Sequence, residues 1–128
     1  MIDHFGITVS NLERSTEFYI KTLGALGYTL IKSNSGSVSF GVRDGHGQGF
    51  DPGGDFWVSQ GAPMNPRVHF AFSAASSSVV DDFFSEGLAA GGTGNGEPGL
   101  RPQFHPHYYA AFLLDPDGYN IEAVCHTE

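Results

Sequence analysis

The sequence predicts an α+β fold in which two βαβββ modules form a single domain over residues 1–128. Three observations support this prediction. Runs that alternate between apolar and polar residues, as strands do, stand beside two runs with helical spacing. The chain also repeats itself at a fixed offset. It ends in a clear hairpin, Tyr108 to Cys125, around the turn sequence Asp115-Pro116-Asp117-Gly118.

The first module is expected over about residues 1–60. Ile2 to Val9 alternates, and Ser10-Asn11-Leu12-Glu13 is a capping box that begins a helix. Gly24 and Gly27 end this helix. Three strands are then predicted at residues 28–32, 37–42 and 56–59, with a loop at residues 44–54 before the last of them.

The second module, about residues 66–128, restarts the same pattern after a linker at residues 61–66. Residues 67–73 alternate, and Ser76 to Ala90 has helical spacing. Gly91 to Gly99 is predicted to end this helix and to form no regular structure. Residues 100–106 are predicted to form a loop or a broken strand. The closing hairpin completes the module.

The two modules are related by an internal repeat. A shift of 65 positions (69 − 4) places His4 on His69 and Phe5 on Phe70. Without a gap, the same shift places Leu23 on Leu88. Because the matches run through a strand and a helix in the same order, they indicate duplication of one βαβββ unit.

Composition excludes several classes of protein. The net charge is −8 and the six Lys and Arg residues are scattered, which argues against a nucleic-acid surface. No run approaches the roughly 20 apolar residues of a membrane span. The single cysteine, Cys125, cannot form an internal disulfide. A soluble, cytoplasmic protein is therefore expected.

One carboxylate in the closing hairpin requires a partner. Glu122 interrupts an apolar strand, where an ionised carboxylate is costly unless it meets a cation or a proton. If the modules are related by a pseudo-twofold axis, His4 and His69 occupy equivalent first strands and face a shared concavity. Two imidazoles and one carboxylate on neighbouring strands would hold a divalent ion and leave positions open for substrate. Alternatively, Glu122 pairs with Arg67 or Arg101 across the sheet.

Three stretches together resemble the vicinal oxygen chelate superfamily, which includes glyoxalase I, fosfomycin- and bleomycin-resistance proteins and extradiol dioxygenases. They are H-F-G-I-T-V at 4–9, V-H-F-A-F at 68–72 and D-P-D-G-Y-N-I-E-A-V at 115–124. The resemblance implies curved sheets around a metal-centred cavity, with His4, His69 and Glu122 as ligands. It also implies a homodimer, by analogy with short members of the family.

The sequence departs from glyoxalase I at one position. That enzyme usually has a second carboxylate in the last strand of the first module. The 65-residue shift places Trp57 there, whereas an alignment of the two Asp-Pro pairs places Val58 there. Neither residue ligates a metal or acts as a base, so a three-ligand site is expected.

The remaining candidates depend on the register of the hairpin. A four-residue turn pairs Leu114 with Tyr119 and places Ala111 opposite Glu122. Tyr109 and His107 then share the face of Glu122 and are the candidate catalytic acid–base groups. The candidate substrate-binding residues are Trp57, Phe104 and Arg67.

Three functions are open at this stage, the third being a subunit or regulatory module with no chemistry of its own. The first is a metal-dependent enzyme that acts on a small molecule with vicinal oxygens, as a lyase or isomerase, a dioxygenase or a thiol transferase. Its divalent ion would be Fe, Mn, Ni or Zn. The second is a metal-free protein that binds a drug or metabolite, with aromatic residues forming the pocket.

Overall fold

The computed structural model describes residues 2–42 and 52–127, and it contains two βαβββ modules in the predicted order. The elements of the first module are β1 (Phe5–Val9), α1 (Leu12–Gly24), β2 (Thr29–Ser33), β3 (Ser37–Gly41) and β4 (Phe56–Gln60). Those of the second are β5 (His69–Ser73), α2 (Ser77–Ala89), β6 (Thr93–Leu100), β7 (Tyr109–Leu114) and β8 (Asn120–Cys125). The predicted loop at residues 44–54 lies mostly outside the described residues.

Each module forms its own four-stranded sheet, with strand orders β1-β4-β3-β2 and β5-β8-β7-β6. The first strand of each module runs parallel to the last, and the other neighbours are antiparallel. The predicted α+β architecture is therefore confirmed. Among the described residues, the two sheets are separate and do not close into one barrel.

The strand register reproduces the internal repeat. Gly6 pairs with Trp57 in the first sheet, and Ala71 pairs with Glu122 in the second. Both members of the second pair lie 65 positions after those of the first, so Trp57 occupies the place in its module that Glu122 occupies in the other. The alternative alignment, which placed Val58 there, is wrong, because Val58 faces the core and pairs with Ile7.

The apolar sides of both sheets meet in one core. Ile7, Val9, Phe70 and Phe72 are all buried, and the Phe5 ring lies 4.9 Å from the Phe70 ring across the module boundary. The residues that alternate with Phe70 and Phe72 in β5 are exposed. The predicted alternation in these strands is confirmed, and it leaves His69 on the open face of its sheet.

Buried hydrogen bonds connect the closing hairpin to the first module. The Tyr119 hydroxyl donates to the backbone oxygen of Thr8 at 2.6 Å, and the Tyr19 hydroxyl of α1 donates to Asp115 Oδ2 at 2.6 Å. Burial raises the pKa of Asp115, while the hydrogen bond from Tyr19 opposes the rise. These bonds fix the turn of the hairpin against α1 and Thr8.

Two predicted details of the elements are wrong. The capping box implied that Ser10 caps α1, but the cap is Asn11, whose Oδ1 accepts from Arg14 N at 3.1 Å. The Ser10 hydroxyl instead donates to Asp117 in the turn of the hairpin. Residues 93–100 form a strand rather than a break, because β6 is the edge of its sheet, where proline, glycine and irregular register are tolerated.

Within the described residues, no helix is long and apolar enough to cross a membrane.

Candidate metal centre

Glu122 lies in the middle of β8 and is 3% exposed, and both of its carboxylate oxygens have partners. Oε1 lies 3.1 Å from Nε2 of His69, on the neighbouring strand β5. Oε2 accepts a short hydrogen bond from the Tyr108 hydroxyl. The predicted proximity of His69 to Glu122 is confirmed, and these contacts offset the cost of burying the carboxylate.

The His69 ring is oriented by its other nitrogen. Nδ1 lies 2.7 Å from the backbone oxygen of Asn120. A carbonyl oxygen only accepts hydrogen bonds, so Nδ1 carries a proton. In the neutral ring Nε2 is then unprotonated, and its lone pair faces Glu122 Oε1. Two acceptors in this position require a cation between them, either a proton on Nε2 or a metal ion.

The spacing of this pair suits a metal ion. Two atoms that bind one divalent ion at about 2.1 Å each, at roughly right angles, are about 3 Å apart. The observed separation of Nε2 and Oε1 is 3.1 Å. An imidazole nitrogen and a carboxylate oxygen are also a donor set that Fe, Mn, Ni and Zn accept. His69 and Glu122 therefore fit two of the predicted ligand positions.

Tyr108 was missed by the sequence reasoning. Its hydroxyl donates to Glu122, and its ring packs 4.9 Å from Phe104 and against His105 and His126. Burial, the hydrogen bond to Glu122 and the charge of that carboxylate raise the pKa of Tyr108 to about 12, and the charge of Arg101 opposes the rise. The phenol is therefore protonated at neutral pH and serves as a hydrogen-bond donor.

The hairpin register explains this error. Asp115 N donates to Tyr119 O, so these two residues pair and leave a three-residue turn in which Gly118 has φ +90°. Phe112, not Ala111, consequently lies opposite Glu122. The predicted four-residue turn was wrong by one position, and a shift of one residue reverses the face of every side chain in the strand.

Tyr109 and His107 are affected by this correction. The Tyr109 hydroxyl donates to Asp81 of α2 at 2.7 Å, which places Tyr109 on the helix side of the sheet and away from the Glu122 face. His107 is exposed in the connection before β7, where its backbone N–H donates to His105 Nδ1. The register that suggested both residues as acid–base groups is not the register of the protein.

The Glu122 face carries two further groups: Phe112, which the sequence reasoning did not place there, and Arg101, which it considered only as an alternative ion-pair partner of Glu122. The Phe112 ring lies 6.1 Å from the His69 ring, and the guanidinium carbon of Arg101 lies 5.4 Å from the Phe112 ring centroid. With His69, Glu122 and Tyr108 they form what we call the site face. Only the correct hairpin register could have identified Phe112.

His4 is not part of this group within one chain. It lies before β1 with 56% of its side chain exposed, and its Nδ1 is 2.6 Å from Asp3 Oδ1. Within residues 2–42 and 52–127, no three His, Cys, Asp or Glu side chains come together to hold an ion. The chain by itself therefore brings together two of the three predicted ligands.

The other candidates lie in different places. Trp57 is on the open face of the first sheet beside Gly6, where it corresponds to Glu122. Phe104 is 60% exposed and packs on Tyr108. Arg67 donates to the backbone oxygens of Asp117 and Met64, which assigns it to the junction between the hairpin and the linker.

The fold and these residues can be compared with known proteins. The family model of the Glyoxalase/Bleomycin resistance protein/Dioxygenase superfamily matches residues 1–123. The chain belongs to this superfamily. Among proteins of curated function, none matches the chain.

Solved structures agree with membership of the superfamily. A glyoxalase/bleomycin resistance protein from Albidiferax ferrireducens T118 is 31% identical with a TM-score of 0.75, and the match covers 95% of each chain. A glyoxalase/bleomycin resistance protein/dioxygenase family enzyme from Burkholderia phytofirmans PsJN is 14% identical with a TM-score of 0.72, over 98% of each chain. A glyoxalase I variant from Zea mays is 21% identical with a TM-score of 0.70, over 97% of this chain and 46% of that one. The last two show similarity of fold alone.

Proposed function

We propose that this member of the superfamily is a metal-dependent enzyme that acts on a small molecule with two neighbouring oxygens. The reaction would be of the lyase or isomerase, dioxygenase or thiol-transfer type. One observation carries the proposal. His69 is held with Nε2 facing Glu122 at 3.1 Å, while Nδ1 is tied to a backbone carbonyl. This is the arrangement of an oriented pair of metal ligands.

The third ligand is proposed to be His4 of the partner subunit in a cytoplasmic homodimer. Three protein ligands leave positions open for substrate, whereas two hold a divalent ion weakly. His4 is exposed just before β1, and Asp3 Oδ1 at 2.6 Å from its Nδ1 can orient the ring as a second partner does for a metal-bound histidine. A twofold axis that brings β1 of one copy to β5 of the other would create two identical sites.

The bound ion would supply Lewis acidity to the substrate oxygens. The chain's own residues have separate roles on the site face. Tyr108 holds the Glu122 carboxylate through its hydroxyl, whose single proton is engaged in that hydrogen bond, and so orients Glu122. Phe112 lies opposite Glu122 and closes one side of the site with an apolar ring.

The residue equivalent to Glu122 in the first module argues against one mechanism. Trp57 occupies that place, and an indole neither ligates a metal nor removes a proton. Proton shuttling between two symmetric carboxylates is therefore not part of the proposal. Trp57 is proposed to form an apolar wall for the substrate.

A second function has one specific observation in its favour. Glu122 is already satisfied by His69 and Tyr108 if Nε2 of His69 is protonated, so the cluster is also consistent without a metal. The chain would then be a metal-free drug- or metabolite-binding protein of the same fold.

Elemental analysis of protein purified without chelator distinguishes the two functions. We expect about one divalent ion per chain in the wild type and a large loss in His69→Ala and Glu122→Gln, because each removes a ligand. His107→Ala is the matched control, since it removes an exposed histidine outside the site face, and it should retain the metal. Absence of stoichiometric metal from the wild type after reconstitution with Fe, Mn, Ni and Zn in turn would overturn the enzyme proposal and favour the binding protein.

A further inference from the structure

Arg101 follows β6 directly and lies on the site face. Its guanidinium carbon is 5.4 Å from the centroid of the Phe112 ring. Phe112 pairs with Glu122 across β7 and β8, and its ring is 6.1 Å from that of His69. A cation, an apolar ring and the His69–Glu122 pair are therefore neighbours on one surface.

The guanidinium is held in place by the backbone of β6. Nη1 donates to Gly99 O at 2.8 Å, and Nη2 donates to Glu97 O at 2.7 Å. Gly96 and Gly99 lie where the guanidinium packs against the strand. An added Cβ at Gly96 would lie 3.3 Å from Nη2, and one at Gly99 would lie 3.3 Å from Nη1. The glycines of β6 thus make room for a side chain that is fixed before any ligand arrives, which lowers the entropic cost of binding.

The charge of Arg101 is not neutralised by a carboxylate in the part of the chain that the structure describes. The contacts there between a basic side chain and a carboxylate join His4 to Asp3, Arg14 to Asp117 and His69 to Glu122. A guanidinium has five N–H donors, and the two hydrogen bonds above go to neutral carbonyls. Arg101 therefore retains its positive charge and further donors beside the site face.

The other described arginines differ from Arg101. Arg14 pairs with Asp117, and Arg67 donates to two backbone oxygens at the linker while it stacks on Tyr119. The chain has a net charge of −8, so the positive charge of Arg101 beside the site face is not part of a general basic surface.

We propose that Arg101 binds an oxyanion of the substrate, and that the substrate class is therefore small oxyacids, such as 2-hydroxy or 2-oxo carboxylates, rather than neutral diols or dicarbonyls. An arginine binds a carboxylate or phosphate through two parallel N–H···O bonds, a geometry that its planar group favours. This inference rests on the proposed function, because it assumes that the substrate occupies the site face next to His69 and Glu122.

The test compares lactate with lactamide, which present the same neighbouring oxygens but differ in charge. Their dissociation constants are measured by calorimetry or NMR on metal-free and metal-loaded protein. We expect the wild type to bind lactate at least about tenfold more tightly than lactamide, as a charge-assisted bond predicts. Arg101→Met, which retains an apolar side chain over Phe112, should abolish this preference in the metal-free protein and reduce it in the metal-loaded protein, where the ion itself favours the carboxylate, and it should leave lactamide binding unchanged.

Three controls make the result decisive. Arg101→Lys keeps the charge without the planar group and should retain part of the preference, which separates loss of charge from loss of fold. Lys21→Met removes an exposed cation of α1 and should change nothing. The metal content of Arg101→Met should equal that of the wild type, because Arg101 is not a ligand.

Any one of three results would overturn the assignment. The first is equal binding of lactate and lactamide by the wild type, and the second is an undiminished preference for lactate in Arg101→Met. The third is no binding of lactate at tens of millimolar, roughly the concentration at which a single charged contact is detectable. Failure of the metal proposal gives a different result. In that case the wild type contains no metal, while the lactate preference can still be measured on the metal-free chain.

Discussion

At the scale of single residues, Glu122 shows how much the sequence can reveal about a site. A carboxylate in an apolar strand predicted a cation or a proton as its partner, and His69 was identified through the internal repeat. Tyr108 could not be identified in the same way, because its position depends on the register of the hairpin. A turn shorter by one residue places it on the site face and removes Tyr109 from that face.

The hydrogen bond from Tyr108 to Glu122 predicts an unusual titration in metal-free protein. The Tyr108 phenol should titrate near pH 12 rather than near 10, because burial disfavours the phenolate and because the hydrogen bond to Glu122 and the charge of that carboxylate favour the protonated form. The difference in tyrosinate absorbance between wild type and Tyr108→Phe isolates this group.

The same shift has a defined effect on stability. The folded-state pKa lies above the unfolded value, so the stabilisation is complete below about pH 10 and is lost as the pH rises towards 12. Tyr109→Phe is the matched control and should leave the late titration in place, since its hydroxyl contacts Asp81 on the other face. A difference spectrum for Tyr108→Phe with a midpoint near 10 would contradict the contact with Glu122.

At the scale of elements, the two modules have the same order and pairing of strands and helices but differ in the lengths of their connections. The offset is 65 residues between β1 and β5 and between β4 and β8, but Ser39 of β3 and Phe112 of β7, which pair with Trp57 and Glu122, are 73 residues apart (112 − 39). Part of this difference lies in the connection from β6 to β7, which has eight residues (101–108) against three (34–36) between β2 and β3, and which carries Arg101 and Tyr108. The repeat therefore predicted the order of the strands and helices, but it did not predict the positions of Arg101 and Tyr108.

The strand β6 shows a second reason why sequence patterns are incomplete. Its composition, T-G-N-G-E-P-G-L, is typical of a loop. It forms a strand because β7 supplies hydrogen-bonding partners along one edge, and two shifts of register absorb the irregular residues. Pairing with β7 overrides the local preference for a loop here, and this pairing cannot be predicted from the local sequence of β6.

The packing of the two helices also depends on a glycine. Gly87 of α2 is buried, and a Cβ there would lie 2.2 Å from Leu113 Cδ1 and 3.4 Å from Thr22 Cγ2 of α1. We expect Gly87→Ala to lower the free energy of unfolding by about 1–3 kcal/mol through overpacking. Urea denaturation of the purified variant measures this change.

Gly24→Ala is the matched control for this prediction. Gly24 is the last residue of α1, and its added Cβ would meet nothing within 4 Å. The substitution should leave stability unchanged or raise it by up to about 1 kcal/mol, because alanine has the higher helix propensity. Equal effects of the two substitutions would show that Gly87 does not set the distance between α2 and β7.

At the scale of the whole molecule, the fold was predictable because periodicity, the repeat and the closing hairpin all indicated the same α+β architecture. The complete ligand set was less predictable. The sequence placed His4 and His69 at equivalent positions, but equivalence within a chain does not bring them together. The structure joins His69 to Glu122 and leaves His4 on the other module, so the proposed site depends on a second copy.

Complementation between two inactive variants tests this central claim most directly. His4→Ala and Glu122→Gln should each bind no metal alone. Co-expressed in equal amounts, they should form heterodimers in which Glu122 and His69 of one chain meet His4 of the other. Half of the dimers would then contain one intact site of two, so the mixture should recover about a quarter of the wild-type metal. A mixture that recovers no metal, or a His4→Ala protein that retains full metal, would contradict the account.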